Sequence, residues 1–151
     1  MTRPAEVRVK EDRANGTRFE AYEIGARTGP LEFTLEPAFV DEFIAATGVD
    51  ETLYRVDGRD AAPPQVLSLF LMGTLHRRYP PLPGTVMADL ELELHAPIWR
   101  DEATRIVSEG EILAKAERKG RRFVTWRAEY RRDGRELLAR FANTFVVPQA
   151  A

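Results

Sequence analysis

Cysteine is absent from all 151 residues, which excludes disulfides, thiolate nucleophiles and cysteine metal ligands. Histidine is almost absent too: His76 and His95 are the only two, too few for a histidine-built metal centre, and no metal is expected. No apolar run is long enough to cross a bilayer, and Met1 leads into Thr2-Arg3-Pro4-Ala5-Glu6 instead of an apolar leader, so a cytoplasmic location is expected. An excess of one charge sign is also missing. A formal net charge of -2 creates no field that would gather nucleic acid or an anionic membrane, and neither is expected as a partner. No linker, internal repeat or low-complexity tract divides the chain, so residues 1–151 are expected to form one domain. Within it, residues 1–16 are charged and end in Asn15-Gly16, a turn signal, which makes them a frayed arm or a short first strand.

The most informative stretch runs over residues 61–84. It begins Ala61-Ala62-Pro63-Pro64 and ends Tyr79-Pro80-Pro81-Leu82-Pro83-Gly84, and neither end can continue a helix. Between them Val66, Leu67, Leu69, Phe70, Leu71, Met72 and Leu75 fall on all sides of a helix, which predicts a segment buried all round. Each large apolar side chain is worth about 1.5–3 kcal/mol when buried, against about 1–2 kcal/mol of backbone ordering per residue, so the helix needs an enclosing partner.

Strands can supply it. Residues 87–95 alternate strictly, with Leu90, Leu92 and Leu94 on one face and Glu91, Glu93 and His95 on the other, before Pro97. Three more strands are read over residues 104–117, 122–131 and 135–147, joined at Lys119-Gly120 and Asp133-Gly134, hairpin signals that imply an antiparallel meander. Upstream, residues 17–24 alternate around Phe19, Tyr22 and Ile24 as a strand, and residues 31–34 form a second, short one. Thr34 is placed to cap an amphipathic helix carrying Phe39, Val40, Phe43 and Ile44 and ending at Gly48. Residues 49–62 lack a period and form a long loop of the kind that carries function. The fold class is therefore α+β, a curved antiparallel sheet wrapped around one central apolar helix. One sheet encloses only part of such a helix, so edge-to-edge pairing of two chains, a dimer, is expected.

This order of elements resembles the hotdog fold, and within it the MaoC-like dehydratases and hydratases. The resemblance spans about residues 19–147 and is carried by Thr-Leu-Glu-Pro-Ala-Phe-Val-Asp-Glu-Phe-Ile-Ala-Ala-Thr-Gly-Val-Asp over residues 34–50, by Ala62-Pro63-Pro64, and by Ala96-Pro97 with Asp101. The Ala-Pro-Pro sequence is similar to the N-terminal MaoC dehydratase half found in heterodimers. The resemblance implies a hydro-lyase acting on an enoyl or 3-hydroxyacyl thioester of CoA or acyl carrier protein, with no cofactor beyond that thioester and either a homodimer or a hotdog heterodimer. Catalytic members use an Asp and a downstream His, and here Asp50 and Arg55 occupy those positions. An arginine stays protonated and cannot shuttle a proton as imidazole does, though it can hold an anion. A cation beside Asp50 would also weaken it as a base, so the pair reads more as a salt bridge than as a catalytic dyad.

The resemblance further places a thioester carbonyl at the start of the buried helix, where Pro64 has no N–H and the donors fall to Gln65 and Val66. An acyl chain would then pass Leu69 and Met72, with Gly73 marking a thin wall. Tyr54, Asp57, Arg59 and Asp60 share the preceding loop and are candidates for the pocket mouth or, as the more common alternative, solvated loop residues. For Asp50 the alternative to catalysis is loop capping after Gly48, and for His76 it is a favourable place for a cation at a helix C-terminus. His95 reads as a surface or interface residue. The basic groups Arg118, Lys119, Arg121 and Arg122 are solvated turn residues or, if functional, contacts for CoA phosphates or an acidic carrier. Two other functions stand beside the hydro-lyase: a non-catalytic acyl-binding subunit of a hotdog heterodimer, and a hotdog thioesterase.

Overall fold

A computed structural model describes residues 2–149. Five antiparallel strands form one curved sheet in the order β1-β5-β6-β7-β4. These are β1 (Arg27–Leu35), β4 (Val86–Leu94), β5 (Thr104–Arg118), β6 (Arg121–Arg132) and β7 (Glu136–Val147), while β2 (Arg55–Val56) and β3 (Arg59–Asp60) make a separate small hairpin. The long meander follows from its turns. Lys119-Gly120 and Asp133-Gly134 each place two successive residues at positive φ, the geometry a tight hairpin needs. Arg118 therefore faces Arg121, and the inward row of β7 alternates from Ala139 to Val147.

The central helix begins as a tight 3-10 stretch, Pro64–Phe70, and continues as α3 (Leu71–His76). It lies against β1 and β5. Phe70 stacks on Phe33 with ring centroids 4.1 Å apart, and the Thr74 hydroxyl donates to Ser108 Oγ at 2.8 Å in the buried interior. Trp126 Nε1 donates to Thr28 Oγ1 at 3.0 Å, tying β6 to β1 beneath it. The expectation of burial on every side is corrected here: Val66, Leu67, Phe70, Leu71 and Leu75 are buried, but Leu69 is 45% exposed and Met72 half-buried. The helix lies on the β1–β5 side; the inward row of β7 is buried, but edge strand β4 is left exposed.

Edge strand β4 shows the same lack of cover. Register places Met87, Leu90, Leu92 and Leu94 opposite Phe145, Asn143, Phe141 and Ala139, so they point to the helix side of the sheet. Leu90 is nonetheless 38% exposed and Leu94 51%. An apolar row on an unpaired edge is the surface that pairing with another chain would cover.

Three local readings differ from the sequence expectation. Residues 17–24 do not form a strand; Phe19–Ala21 is a 3-10 turn, Tyr22 is buried and Ile24 lies 64% exposed. Lys115 Nζ sits 4.5 Å from the Phe19 ring centroid and donates to the Tyr22 carbonyl at 2.8 Å, which holds this segment as a turn over β5. Thr34 caps nothing, because β1 runs through it to Leu35. Helix α2 (Pro37–Thr47) is opened by Pro37 after Glu36 and closed by Gly48 in the left-handed region. The arm at residues 2–16 packs onto the domain. Its helix α1 (Pro4–Val7) lays Val7 on α3, and a Cβ at Gly73 would come 3.0 Å from the Val7 carbonyl oxygen. Gly73 is thus small to admit the arm.

Candidate functional site

The loop after α2 winds into a 3-10 turn, Glu51–Leu53, with Asp50 as its cap. The Asp50 carboxylate accepts from the Thr52 hydroxyl at 2.7 Å and from the Thr52 backbone N–H at 3.1 Å, which together hold it below the usual carboxylate range. Arg55 does not join it. The turn at Asp57-Gly58 folds β2 onto β3 and sets Asp60 opposite Arg55, whose Nε lies 2.8 Å from the Asp60 carboxylate. The suggested Asp50–Arg55 salt bridge is therefore absent, since hairpin register gives Arg55 a closer partner. Both candidate residues are exposed, and neither contacts a histidine: His95 pairs with Glu93 at 3.2 Å, and His76 ends the central helix.

Sequence reasoning named Arg59 only as a loop residue and did not single out Arg100, yet the two arginines brace this loop. Arg100 Nε donates to Asp41 of α2 at 2.9 Å, and its guanidinium also pairs with Glu51. Arg59 pairs with Asp101 at 2.6 Å and lies over the Trp99 ring at 4.4 Å. The only signal was the charge-rich composition of residues 50–60 and 100–102, which does not say who pairs with whom.

At the start of the central helix, Ala62 N–H donates to the Ile98 carbonyl at 2.7 Å and Ala61 N–H to the Tyr54 carbonyl at 2.8 Å. The structure brings Tyr54 and Gln65 together, Gln65 Nε2 donating to the Tyr54 hydroxyl at 3.3 Å. Pro64 is half-buried beside them. Of the two backbone donors considered there, Val66 N–H is taken by the Pro63 carbonyl at 3.1 Å, and Gln65 N–H finds no backbone acceptor among the described residues. The Val66 side chain is fully buried in the core.

Along the uncovered side of the helix lies a cavity of about 520 Å³. Ser68, Leu69, Met72 and His76 form one wall at helical spacing, Met87 and Phe145 contribute from the sheet, and the arm from Pro4 to Glu11 lines another side. Leu69, Met72 and His76, read from sequence as substrate contacts, thus converge on one space. Arg55 instead borders a separate, polar hollow with Glu51, Thr52, Asp60 and Arg100, and Asp50 lines neither space.

Burial, with a contribution from Arg8, pushes His76 down from 6.5 to about 4. At neutral pH its imidazole is uncharged. The unfolded chain takes up a proton at His76 below about pH 6.5 while the folded chain does not until about pH 4, so stability falls as pH drops through that window. The expected loss is about 3 kcal/mol at its lower end. Denaturation of the protein and of His76→Phe between pH 7 and pH 4 checks this: the variant should lack this part of the acid sensitivity.

No protein-family model and no curated protein matches the sequence. Solved structures do match the fold. A MaoC-like dehydratase from Rhodospirillum rubrum is 22% identical with a TM-score of 0.67, over 85% of this chain and 94% of that one. An (R)-hydratase from A. caviae involved in PHA biosynthesis is 18% identical with a TM-score of 0.67, over 85% and 99%. A chain of the HadBC (3R-hydroxyacyl-ACP dehydratase) complex from Mycobacterium tuberculosis is 18% identical with a TM-score of 0.67, over 82% and 96%. The chain has the hotdog fold that these proteins share. No described helix is long and apolar enough to cross a membrane.

Proposed function

We propose that this hotdog chain binds an enoyl or 3-hydroxyacyl thioester, on CoA or an acyl carrier protein, as one half of a dehydratase or hydratase assembly. A second hotdog chain supplies the acid–base pair. The observation that carries this reading is the state of Asp50: exposed and, among the described residues, hydrogen-bonded only to Thr52, with no histidine beside it. Adding water to an enoyl thioester needs a group that takes a proton from water and one that delivers a proton to carbon. A carboxylate held below its usual range is a poor base, and Arg55, paired with Asp60, is a permanent cation. The features that serve binding are intact by comparison. The cavity along the helix is mixed but mainly apolar in its body, and the apolar row on β4 is free to receive another chain. The HadBC relative is a complex, a precedent for dividing the work between chains.

The purified chain, given crotonyl-CoA and longer enoyl-CoAs, should bind them without hydrating them, followed by absorbance of the conjugated enoyl. It should release no free thiol, which separates this reading from a thioesterase. Adding a hotdog partner encoded in the same genome should start hydration. Turnover by the chain alone that disappears in Asp50→Ala would restore the self-sufficient hydro-lyase reading and overturn this one.

A further inference from the structure

One cluster of charges on the sheet has no counterpart within the chain. Arg118 and Arg121 face each other at the end of the β5–β6 hairpin, with Lys119 in the turn between them. Like charges directly opposite on a ladder repel, so the fold gains nothing from this placement. Most other arginines of the sheet are answered by a carboxylate: Arg105 by Glu32, Arg140 by Glu129 and Arg132 by Glu136. Arg118, Lys119 and Arg121 are exposed and, among the described residues, pair with no acid. The nearest acid in sequence, Glu117, is already engaged. Arg122 donates to it from Nε at 2.8 Å and to Glu20 from Nη1 at 2.8 Å. Arg122 thus leaves the basic group outlined by the sequence, and three cations remain together on a chain of net charge -2.

Register carries this cluster into an apolar band. Phe145 and Val147 are buried on the inner side of β7, so Val146 between them faces outward, away from the central helix. Phe123 of β6 and Val86 of β4 lie opposite Val146 on either side, and Ala116 of β5 lies opposite Phe123. These four make one row across four strands, two residues along from Arg118 and Arg121 on the same face. Phe123 and Val146 are half-buried and Val86 is 60% exposed. In the next row Thr125 and Thr144 share a hydrogen bond between their hydroxyls at 3.0 Å. Beyond it the outward positions turn charged, with Glu111 opposite Arg127 and Glu91 opposite Ala142.

The band is narrow and runs across the strands. Two rows on one face lie about 7 Å apart, and three strand spacings of about 4.8 Å give a length of roughly 15 Å. A single helix laid across the sheet matches that footprint, with about ten residues in contact at a rise of about 1.5 Å each. A broad anionic membrane fits less well, because Asp89 and Glu91 stand on the same outer face of β4.

We propose that this outer face docks an acidic amphipathic helix of another protein. Its apolar side rests on Phe123, Val146 and Val86, and its acidic flank meets Arg118, Lys119 and Arg121. The surface is distinct from the apolar row at Leu90 and Leu94, which points to the helix side of the sheet. It does not rest on the preceding functional reading.

Fluorescence anisotropy with a labelled synthetic peptide tests the proposal: a helix of about four turns, leucines along one side and glutamates along the flank. The full chain should bind it, and the affinity should fall as salt is added. Glutamine in place of the glutamates, or serine in place of the leucines, should weaken binding about tenfold or more. Arg118→Glu together with Arg121→Glu alters two exposed side chains outside the core; it should cause a similar loss with an unchanged melting temperature. That variant should in turn bind a lysine version of the peptide better than the parent chain does. Val86→Ser should weaken both pairings. Absence of binding, equal binding of the glutamate and glutamine peptides, or no recovery on charge exchange would overturn the proposal. Binding to phosphatidylglycerol vesicles without binding to the peptide would make the face a membrane contact, and displacement of the peptide by equimolar CoA would make the tip a phosphate site; either result overturns the helix-docking assignment.

Discussion

Gly110→Val is expected to lower the unfolding free energy by about 3 kcal/mol or more, the combined scale of an overpacked core and a broken buried hydrogen bond. Gly110 sits on β5 with β1 on one side and β6 on the other, paired with Thr28 and Ala128. A Cβ there would lie 2.4 Å from Trp126 Nε1 and 2.7 Å from Thr28 Oγ1, the two atoms that hydrogen-bond to each other at 3.0 Å. Any side chain therefore intrudes on that bond. Relief would require moving Trp126, the largest fully buried side chain, away from a close-packed interior. The cost is spatial, since Gly110 is not among the glycines at positive φ. Denaturant unfolding followed by tryptophan fluorescence measures it, with Trp126→Phe as a control that removes the hydrogen bond without the clash. A loss under about 1 kcal/mol for Gly110→Val would show that the sheet yields there, contrary to this account.

Replacing Leu90 and Leu94 together by arginine should leave the single chain folded and weaken its association with a second hotdog chain at least about a hundredfold. Truncating central apolar anchors in an interface commonly costs 2 kcal/mol or more each, and a buried unpaired charge adds to that. Both side chains point to the helix side of the sheet but stand clear of the core, so the fold does not depend on them. The opposite edge is less suited to pairing. Strand β1 loses register between Thr28 and Leu31 and carries Arg27 and Glu32, the kind of irregular, charged edge that resists addition of a strand. Light scattering of the variant and the parent, alone and with a hotdog partner, gives the result. Unchanged association together with an unchanged melting temperature would place the contact elsewhere.

The parts of this structure that could be read from sequence are those whose signal is local. Asp133-Gly134 and Lys119-Gly120 dictate their own hairpins, and the alternation at Leu90, Leu92 and Leu94 names the face that turns inward. Gly48 stops α2 where its left-handed backbone is needed. The errors lie where a distant residue decides. Phe19, Tyr22 and Ile24 alternate well enough for a strand, yet Lys115 and Arg122, nearly a hundred residues on, draw Phe19 into a turn. Apolar residues on every side of residues 65–75 implied full burial, but periodicity cannot say which flank of the sheet a helix occupies. That placement alone exposes Leu69.

The site divides in the same way. The convergence of Leu69, Met72 and His76 follows from helical spacing and was legible. Arg55 was assigned to Asp50 by proximity in sequence, while the partner, Asp60, is set by hairpin register.

The arm that crosses Gly73 separates two kinds of information along the chain. The hairpins of β5, β6 and β7 specify how the protein folds, whereas one side of the cavity is written in residues 4–11, outside the sheet altogether. Substitutions at Ala5, Arg8 or Glu11 reshape what the cavity admits without disturbing strand register. The residues that border the cavity on that side can therefore change while the sheet keeps its register.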